Sequence, residues 1–251
     1  MNDFPPVVVV GIGYVGLPLS CALSREMAVT AYDHDRSKIK NLRMGIDSSG
    51  SVSRTTLQRH SLTFTDNPSV LSEAQLIIVC VPTPVDDQHR PDLSALIDAS
   101  EMIGRRISRG AVVVFESTVF PGATEEICIP AIERESGMVV GKDFHCGYSP
   151  ERISPGDDAH TIRDVVKIIA APDEETLRLM ESVYGTVTNA GLHRLKDIRT
   201  AEAAKIIENV QRDVNIALMN ELAKVFHLMG IKTQDVLKAA ENAKATGASR
   251  F

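Results

Sequence analysis

Lys205 and Asn209 lie four positions apart in a stretch, 198–229, that contains neither glycine nor proline. In a helix that spacing puts both side chains on one face, one turn apart. A cation beside an amide donor is what a developing alkoxide or oxyanion requires; a solvated surface pair is the plainer alternative. The flanking Ile206, Ile207 and Val210 imply a helix that is apolar almost all round, on which Asn209, Arg212, Asp213, Asn215 and Asn220 form an unusual polar load. Buried polar groups are paired or functional. A second group with chemical potential stands near the start of the chain. Gly11, Gly13 and Gly16 form GxGxxG, enclosing Tyr14 and Val15, directly after the run Val7–Val10. The first glycine permits a tight turn, the second lets backbone approach a pyrophosphate, and the third lets the next helix pack on the strand. Free N–H groups at that helix start then face the anion. Asp33 falls close to the ~20-residue offset at which a carboxylate meets a ribose 2′-hydroxyl, arguing for NAD over NADP. A strand-end turn residue is the alternative for Asp33, and Arg36 and Lys38 pull towards a 2′-phosphate.

The elements that must position these groups alternate. Apolar or β-branched runs at 7–10, 28–32, 62–65, 76–81, 111–115, 144–148 and 165–170 predict strands, with a possible last edge strand at 186–189. Helical spacing is found at 17–27, 37–43, 93–107, 124–132 and 174–184, and a capped helix is expected over 67–74; 45–61 is polar and turn-rich. Alternation to about residue 190 predicts an α/β, Rossmann-like doubly wound, mostly parallel sheet followed by a long central helix. Pro82 and Pro84 stop the strand before them and leave Thr83 at the carboxyl end of the sheet, where ligands of open α/β sheets collect; a loop threonine without a ligand is the alternative. Beyond Gly191 the predicted helix of ~30 residues at 1.5 Å rise would span about 45 Å, the length of a domain connector or an oligomer interface. Gly230 ends it, and Thr233 can cap a second helix to about residue 245.

The 27 basic and 33 acidic residues give a net charge of −6 without long single-sign blocks, so nothing suggests a nucleic-acid or membrane partner. Without a signal core or a spanning run, cytoplasm is the default placement. Cys21, Cys80, Cys128 and Cys146 show neither a CxxC pair nor zinc-type spacing, so no metal is expected, and Cys21 and Cys80 read as buried reduced thiols.

Five motifs in order, GIGYVGLP, CVPTP, ESTVFPGATEE, GYSPERISPGD and AEAAKIIENVQRDVNIALMNELA, resemble the nucleotide-sugar 6-dehydrogenase family, the UDP-glucose and GDP-mannose dehydrogenases. The likeness extends to about Ala240 and is greatest to the branch acting on UDP-N-acetylglucosamine or UDP-N-acetylgalactosamine for surface polysaccharides. It implies two successive NAD-dependent oxidations that turn a sugar C6 alcohol into a carboxylate. It further implies an NAD-binding domain over 1–195 and, over 196–251, the start of a central helical domain through which a homodimer forms by the 198–229 helix.

By matching motif, Val15, Asp33, Lys38, Thr83, Thr118 and Glu151 would line the NAD side with the glycine turn, Lys38 meeting the adenosine portion. Thr118 and Glu151 would also flank the reacting carbon, Glu151 helping to activate the hydrolytic water that Thr118 positions. Lys205 and Asn209 would stabilise charge on the C6 oxygen, and Lys205 could accept or relay a proton. The chain departs from the family after Ala240: neither the GGHC motif with its nucleophilic cysteine nor the UDP-binding domain follows. The expectation is therefore a truncated form that binds NAD but is inactive alone. Cys146, five residues before Glu151, is expected to be a core or near-site thiol and no substitute. A catalytically inactive NAD-binding and dimerisation module, or a one-step β-hydroxyacid dehydrogenase, are the alternatives.

Overall fold

The structure, a computed structural model, describes residues 4–58, 61–151 and 163–244. It forms two compact units, one up to Lys205 and one from Ile206 onward. In the first, eight strands form one sheet in the order β3-β2-β1-β4-β5-β6-β7-β8: β1 (Val7–Val10), β2 (Val29–Tyr32), β3 (Leu62–Thr65), β4 (Leu76–Val79), β5 (Val112–Phe115), β6 (His145–Tyr148), β7 (Lys167–Ala170) and β8 (Leu192–Leu195). All adjacent pairs are parallel except β6 with β7.

Four valines make β1 because β-branched side chains suit a pleat covered on both faces. Val7 and Val9 enter one hydrophobic cluster, with Leu19 and Leu23 of helix α1 (Gly16–Leu23) and with Ile39 and Leu42 of α2 (Arg36–Arg43). Val8 and Val10 enter the other, with Leu96 and Ile103 of α4 (Ser94–Gly104) and Ile132 of α5 (Ile129–Ser136). A short helix, α3 (Arg54–Leu57), lies in the polar 45–61 segment, and α6 (Glu174–Tyr184) covers the first face beside α1. Because β2 and β3 lie to one side of β1 and β4 onward to the other, the winding reverses between β1 and β4. In doubly wound sheets the carboxyl ends of the strands at such a switch point are where ligands bind.

Within the first unit the structure departs from three predicted elements. The last strand is β8 at Leu192–Leu195, not 186–189. Thr186–Ala190 forms a turn instead, in which Val187 is buried, Thr188 Oγ1 donates to Val165 O at 2.9 Å and Asn189 N donates to Arg163 O at 2.8 Å. Gly191, at φ +95°, then redirects the chain into β8. The 124–132 helix begins as a π-turn, Thr124–Cys128, before α5; Pro130 has no N–H with which to continue an i→i−4 ladder. The 67–74 segment is a 3₁₀ turn, Pro68–Ser72, capped by Asn67.

The helix α7 (Ile198–Leu228) runs from the first unit into the second, where α8 (Thr233–Lys244) follows. Gly230, at φ +68°, ends α7, with Ile231 N donating back to Phe226 O. The helix is not apolar and buried all round: Ile207 is 66 % exposed, and Arg212, Asp213, Asn215 and Asn220 all face solvent in the single chain. Its polar load is therefore a wet face. No helix among the described residues is long and apolar enough to cross a membrane.

Candidate functional site

Gly11 adopts φ +89°, and a Cβ there would meet Cys80 O at 2.9 Å. At Gly16 a Cβ would stand 2.0 Å from Gly11 O, whereas at Gly13 it would meet nothing within 4 Å. The turn is closed from within by the first and third glycines and open outward at the second, as an approaching pyrophosphate requires. Helix α1, with Val15 at its N-cap, has neither a side-chain cap nor an acidic residue in its first turn. Leu17 N is taken by Gly13 O at 3.0 Å and Pro18 has no N–H, so it is the amides of the glycine turn at the helix start that can meet an anion. Tyr14 projects 66 % exposed beside them.

Asp33, at the end of β2, is buried, and its Oδ2 accepts from Ile12 N at 2.9 Å and Lys38 Nζ at 2.7 Å. Its Oδ1 accepts from Asp35 N at 3.0 Å. Burial pulls the Asp33 carboxyl upward, but Lys38 and the amides of Asp35 and Ile12 outweigh it and hold the value below the usual carboxylate range. The cation that might have served a 2′-phosphate is engaged by this carboxylate. The set fits NAD.

Asp33→Asn is expected to weaken NADH binding by roughly tenfold, measured by fluorescence titration. Because the folded-state value of Asp33 is depressed, its stabilisation is present above the unfolded value near pH 4 and is lost as pH falls through the folded value. The melting temperatures of wild type and Asp33→Asn should therefore differ at neutral pH and converge as acid protonates the folded-state carboxylate, below its depressed value.

The loops after β4, β5 and β6 are bound to one another along the same sheet edge. Thr83 Oγ1 donates to Thr118 O at 2.7 Å and Ser117 Oγ to Val81 O at 2.6 Å. Tyr148 OH donates to Ser117 O at 3.1 Å, and Ser149 Oγ donates to Ile168 O at 2.7 Å. Glu151 is buried two residues beyond Ser149. The remainder of its motif, 152–157, lies outside the described residues. Beneath these loops Lys167 Nζ stands 3.1 Å from Glu116 Oε2, both buried, and 5.0 Å from the centroid of the Tyr184 ring. Burial opposes charge on Lys167, yet the carboxylates of Glu116 and Glu151 outweigh it and hold its pKa above the ordinary lysine value.

Lys205 is buried at the end of the first unit, and Glu202, on the same turn of α7, is 0 % exposed. Asn209, one turn further along α7, belongs to the second unit; it is half-buried, and its Oδ1 accepts from Arg212 Nη1 at 3.3 Å. Glu116, Lys167 and Glu202 escaped the reading of the sequence. For Lys167 a clue existed, since a lysine inside the apolar run VVKIIAA is seldom buried without a partner.

None of the four cysteines forms a disulfide, and all four are buried. Cys146 sits in mid-strand opposite Val113 and contributes to the core, and burial pushes its thiol well above the ordinary value. Burial likewise pushes Cys128 up to about 12. Cys146 is a core thiol. The native chain should consequently resist thiol reagents, with labelling at all four positions slowed at least ~100-fold relative to urea-unfolded protein, read by mass spectrometry. Among the described residues no group of three or more histidine, cysteine or acidic side chains is placed to hold a metal.

Residues 6–188 match the profile of the NAD-binding domain of the UDP-glucose/GDP-mannose dehydrogenase family, and residues 199–251 match that of its central domain. A UDP-N-acetyl-D-glucosamine 6-dehydrogenase of Pseudomonas aeruginosa is 48% identical over 235 residues, covering 93% of this chain and 56% of that protein. The protein CapL of Staphylococcus aureus is 47% identical over 234 residues, 93% of this chain and 55% of its own length. Among solved structures, a UDP-D-ManNAc dehydrogenase from Pyrococcus horikoshii superposes with a TM-score of 0.87 at 32% identity, covering 94% of this chain and 57% of that one. A ternary complex of GDP-mannose dehydrogenase from Pseudomonas aeruginosa gives 0.86 at 26% identity, covering 93% and 56%. The chain spans about half the length of the curated relatives it matches.

Proposed function

The chain belongs to the UDP-glucose/GDP-mannose dehydrogenase family, and from that premise we propose that it serves the NAD-dependent oxidation of the C6 alcohol of a UDP-N-acetylhexosamine to the uronic acid, for surface polysaccharide synthesis in the cytoplasm. One observation carries the reading. The glycine turn, Asp33, Thr83, Thr118 and Glu151 follow five strands that are consecutive in the sheet, β2-β1-β4-β5-β6, so all stand at one edge, the one that holds the switch point between β1 and β4.

NAD, when bound, supplies a hydride acceptor. The chain's own residues divide the remaining work. Asp33 would accept from the adenosine ribose with Lys38 beside the adenosine portion, and the glycine turn with Tyr14 and Val15 would hold the pyrophosphate. Thr83 fixes the main chain of Thr118 by its hydrogen bond, which sets the Thr118 hydroxyl for a water or a substrate oxygen. Glu151 draws a proton from that water. Lys205 in its neutral form would take the C6 hydroxyl proton, and the ammonium so formed would hold the negative charge that develops on the C6 oxygen when water adds to the aldehyde, with Asn209 adding an amide donor one turn along the helix. The exposed apolar residues of α7, among them Ile207, Val214 and Leu228, suit burial against a second copy.

The test is direct. The purified chain should bind NADH at least about tenfold more tightly than NADPH, since a 2′-phosphate would meet Asp33. Equal or tighter NADPH binding would overturn the cofactor assignment. A second reading, an NAD-binding and dimerisation module, is favoured by the burial of every cysteine in this sequence. Steady-state uronate formation from UDP-N-acetylglucosamine by the isolated chain would reject that second reading.

A further inference from the structure

The hydrogen bonds of the buried Glu202 carboxylate reach back to one short stretch 78 to 80 positions earlier. Its Oε2 accepts from Gly122 N at 2.6 Å, and its Oε1 accepts from Thr124 N at 3.0 Å and from Thr124 Oγ1 at 2.7 Å. Charge-assisted bonds to both oxygens leave the side chain little freedom. Gly122, at φ +98°, bends the chain so that its own amide and that of Thr124 converge on the carboxylate. A second row of bonds runs beside the first: Arg199, three residues before Glu202, reaches Glu125 at 2.6 Å and Glu126 at 3.0 Å. The opening turns of α7 are thus tied to 122–126, the continuation of the loop that carries Thr118. Lys205 lies three residues after Glu202, on the same helix face.

We propose that Glu202 is a positioning residue: by clamping the Gly122–Thr124 turn to the start of α7, it sets Lys205 in register with the Thr118 loop. Its importance for turnover rests on the function proposed above for Lys205 and Thr118. Its mechanical content does not.

The experiment measures two quantities on the full chain. One is the rate of Lys205 acetylation by acetic anhydride, read by peptide mass spectrometry against the exposed Lys224. The other is deuterium exchange over 122–124. Glu202→Ala should raise both by at least about tenfold, because the clamp is the local barrier to opening. Glu202→Gln keeps an oxygen for the Thr124 pair but presents an NH₂ to the Gly122 amide, so it should recover roughly half of the loss on a logarithmic scale. Leu42→Ala, in the cluster on the other sheet face, is a control for general destabilisation and should leave the Lys205:Lys224 ratio unchanged.

An unmoved ratio in Glu202→Ala overturns the proposal, and so does an equal rise in Leu42→Ala. Should Glu202→Ala fail to fold, Glu202→Gln decides, and a ratio within about twofold of wild type rejects the clamp. NADH titration of the wild-type chain runs in parallel. Its failure would reject the oxidation reading while leaving the acetylation and exchange results to judge Glu202.

Discussion

Gly16→Ala is expected to abolish measurable NADH binding and to lower the melting temperature by roughly 10 °C, the equivalent of about 3 kcal/mol for a chain of this size. The added Cβ would lie 2.0 Å from Gly11 O. Both groups are main chain or rigidly attached to it, so no rotamer change relieves the overlap. The first turn of α1 must move off β1, and the amides that face the anion move with it. Gly13→Ala separates the two effects. Its Cβ would meet nothing, so the melting temperature should stay within about 1 °C of wild type, while NADH binding falls at least about tenfold because the methyl occupies the pyrophosphate's line of approach. Differential scanning fluorimetry and NADH titration on both variants check the pair. Normal NADH binding by Gly13→Ala, or an unchanged melting temperature in Gly16→Ala, would contradict the cradle as described.

Lys167→Met should be the most damaging single change beneath the site. It leaves the Glu116 carboxylate buried without its ammonium, a situation that typically costs about 3–5 kcal/mol. The Tyr184 ring also loses the cation 5.0 Å from its centroid. Replacing both charges with apolar groups of similar volume, in Glu116→Leu combined with Lys167→Met, should return most of the stability, since a buried pair and a well-packed apolar pair are often of similar stability. Urea unfolding of the two single variants and the double variant gives the coupling, expected to be of order 2–3 kcal/mol. Additive losses would mean that each charge is satisfied independently.

The strands were legible where short apolar or alternating runs are bounded by turn residues: β1, β2, β3, β5 and β6 lie at or within a residue of their predicted bounds, β1 as a run of valines and β3 as the alternation Leu-Thr-Phe-Thr. The helix α6, with Asp173 accepting from Thr176 N at its start, matches its predicted span. β8 was misread because Leu192–Leu195 is a short edge strand with both faces partly wet. The β-branched Thr186, Val187 and Thr188 imitate a strand where the chain in fact turns before Gly191. Within the candidate site, the glycine turn and Asp33 were legible because their geometry is local and carried by residue type. Glu202 and the Glu116–Lys167 pair were not. Their partners lie 78 and 51 positions away, and no periodicity within a window of sequence records which distant backbone amide a carboxylate will meet. The environment of α7 was misjudged for a related reason: apolar content along a helix does not say which neighbour, if any, covers it.

The burial of all four thiols, in a sequence that contains no tryptophan, makes this chain a quiet background for optical work. A single cysteine placed at Tyr14 or Val85, both exposed, could carry a fluorophore without first removing a native thiol. A tryptophan introduced at Tyr14 would be the only indole emitter, and its energy transfer to NADH would register cofactor arrival at the glycine turn.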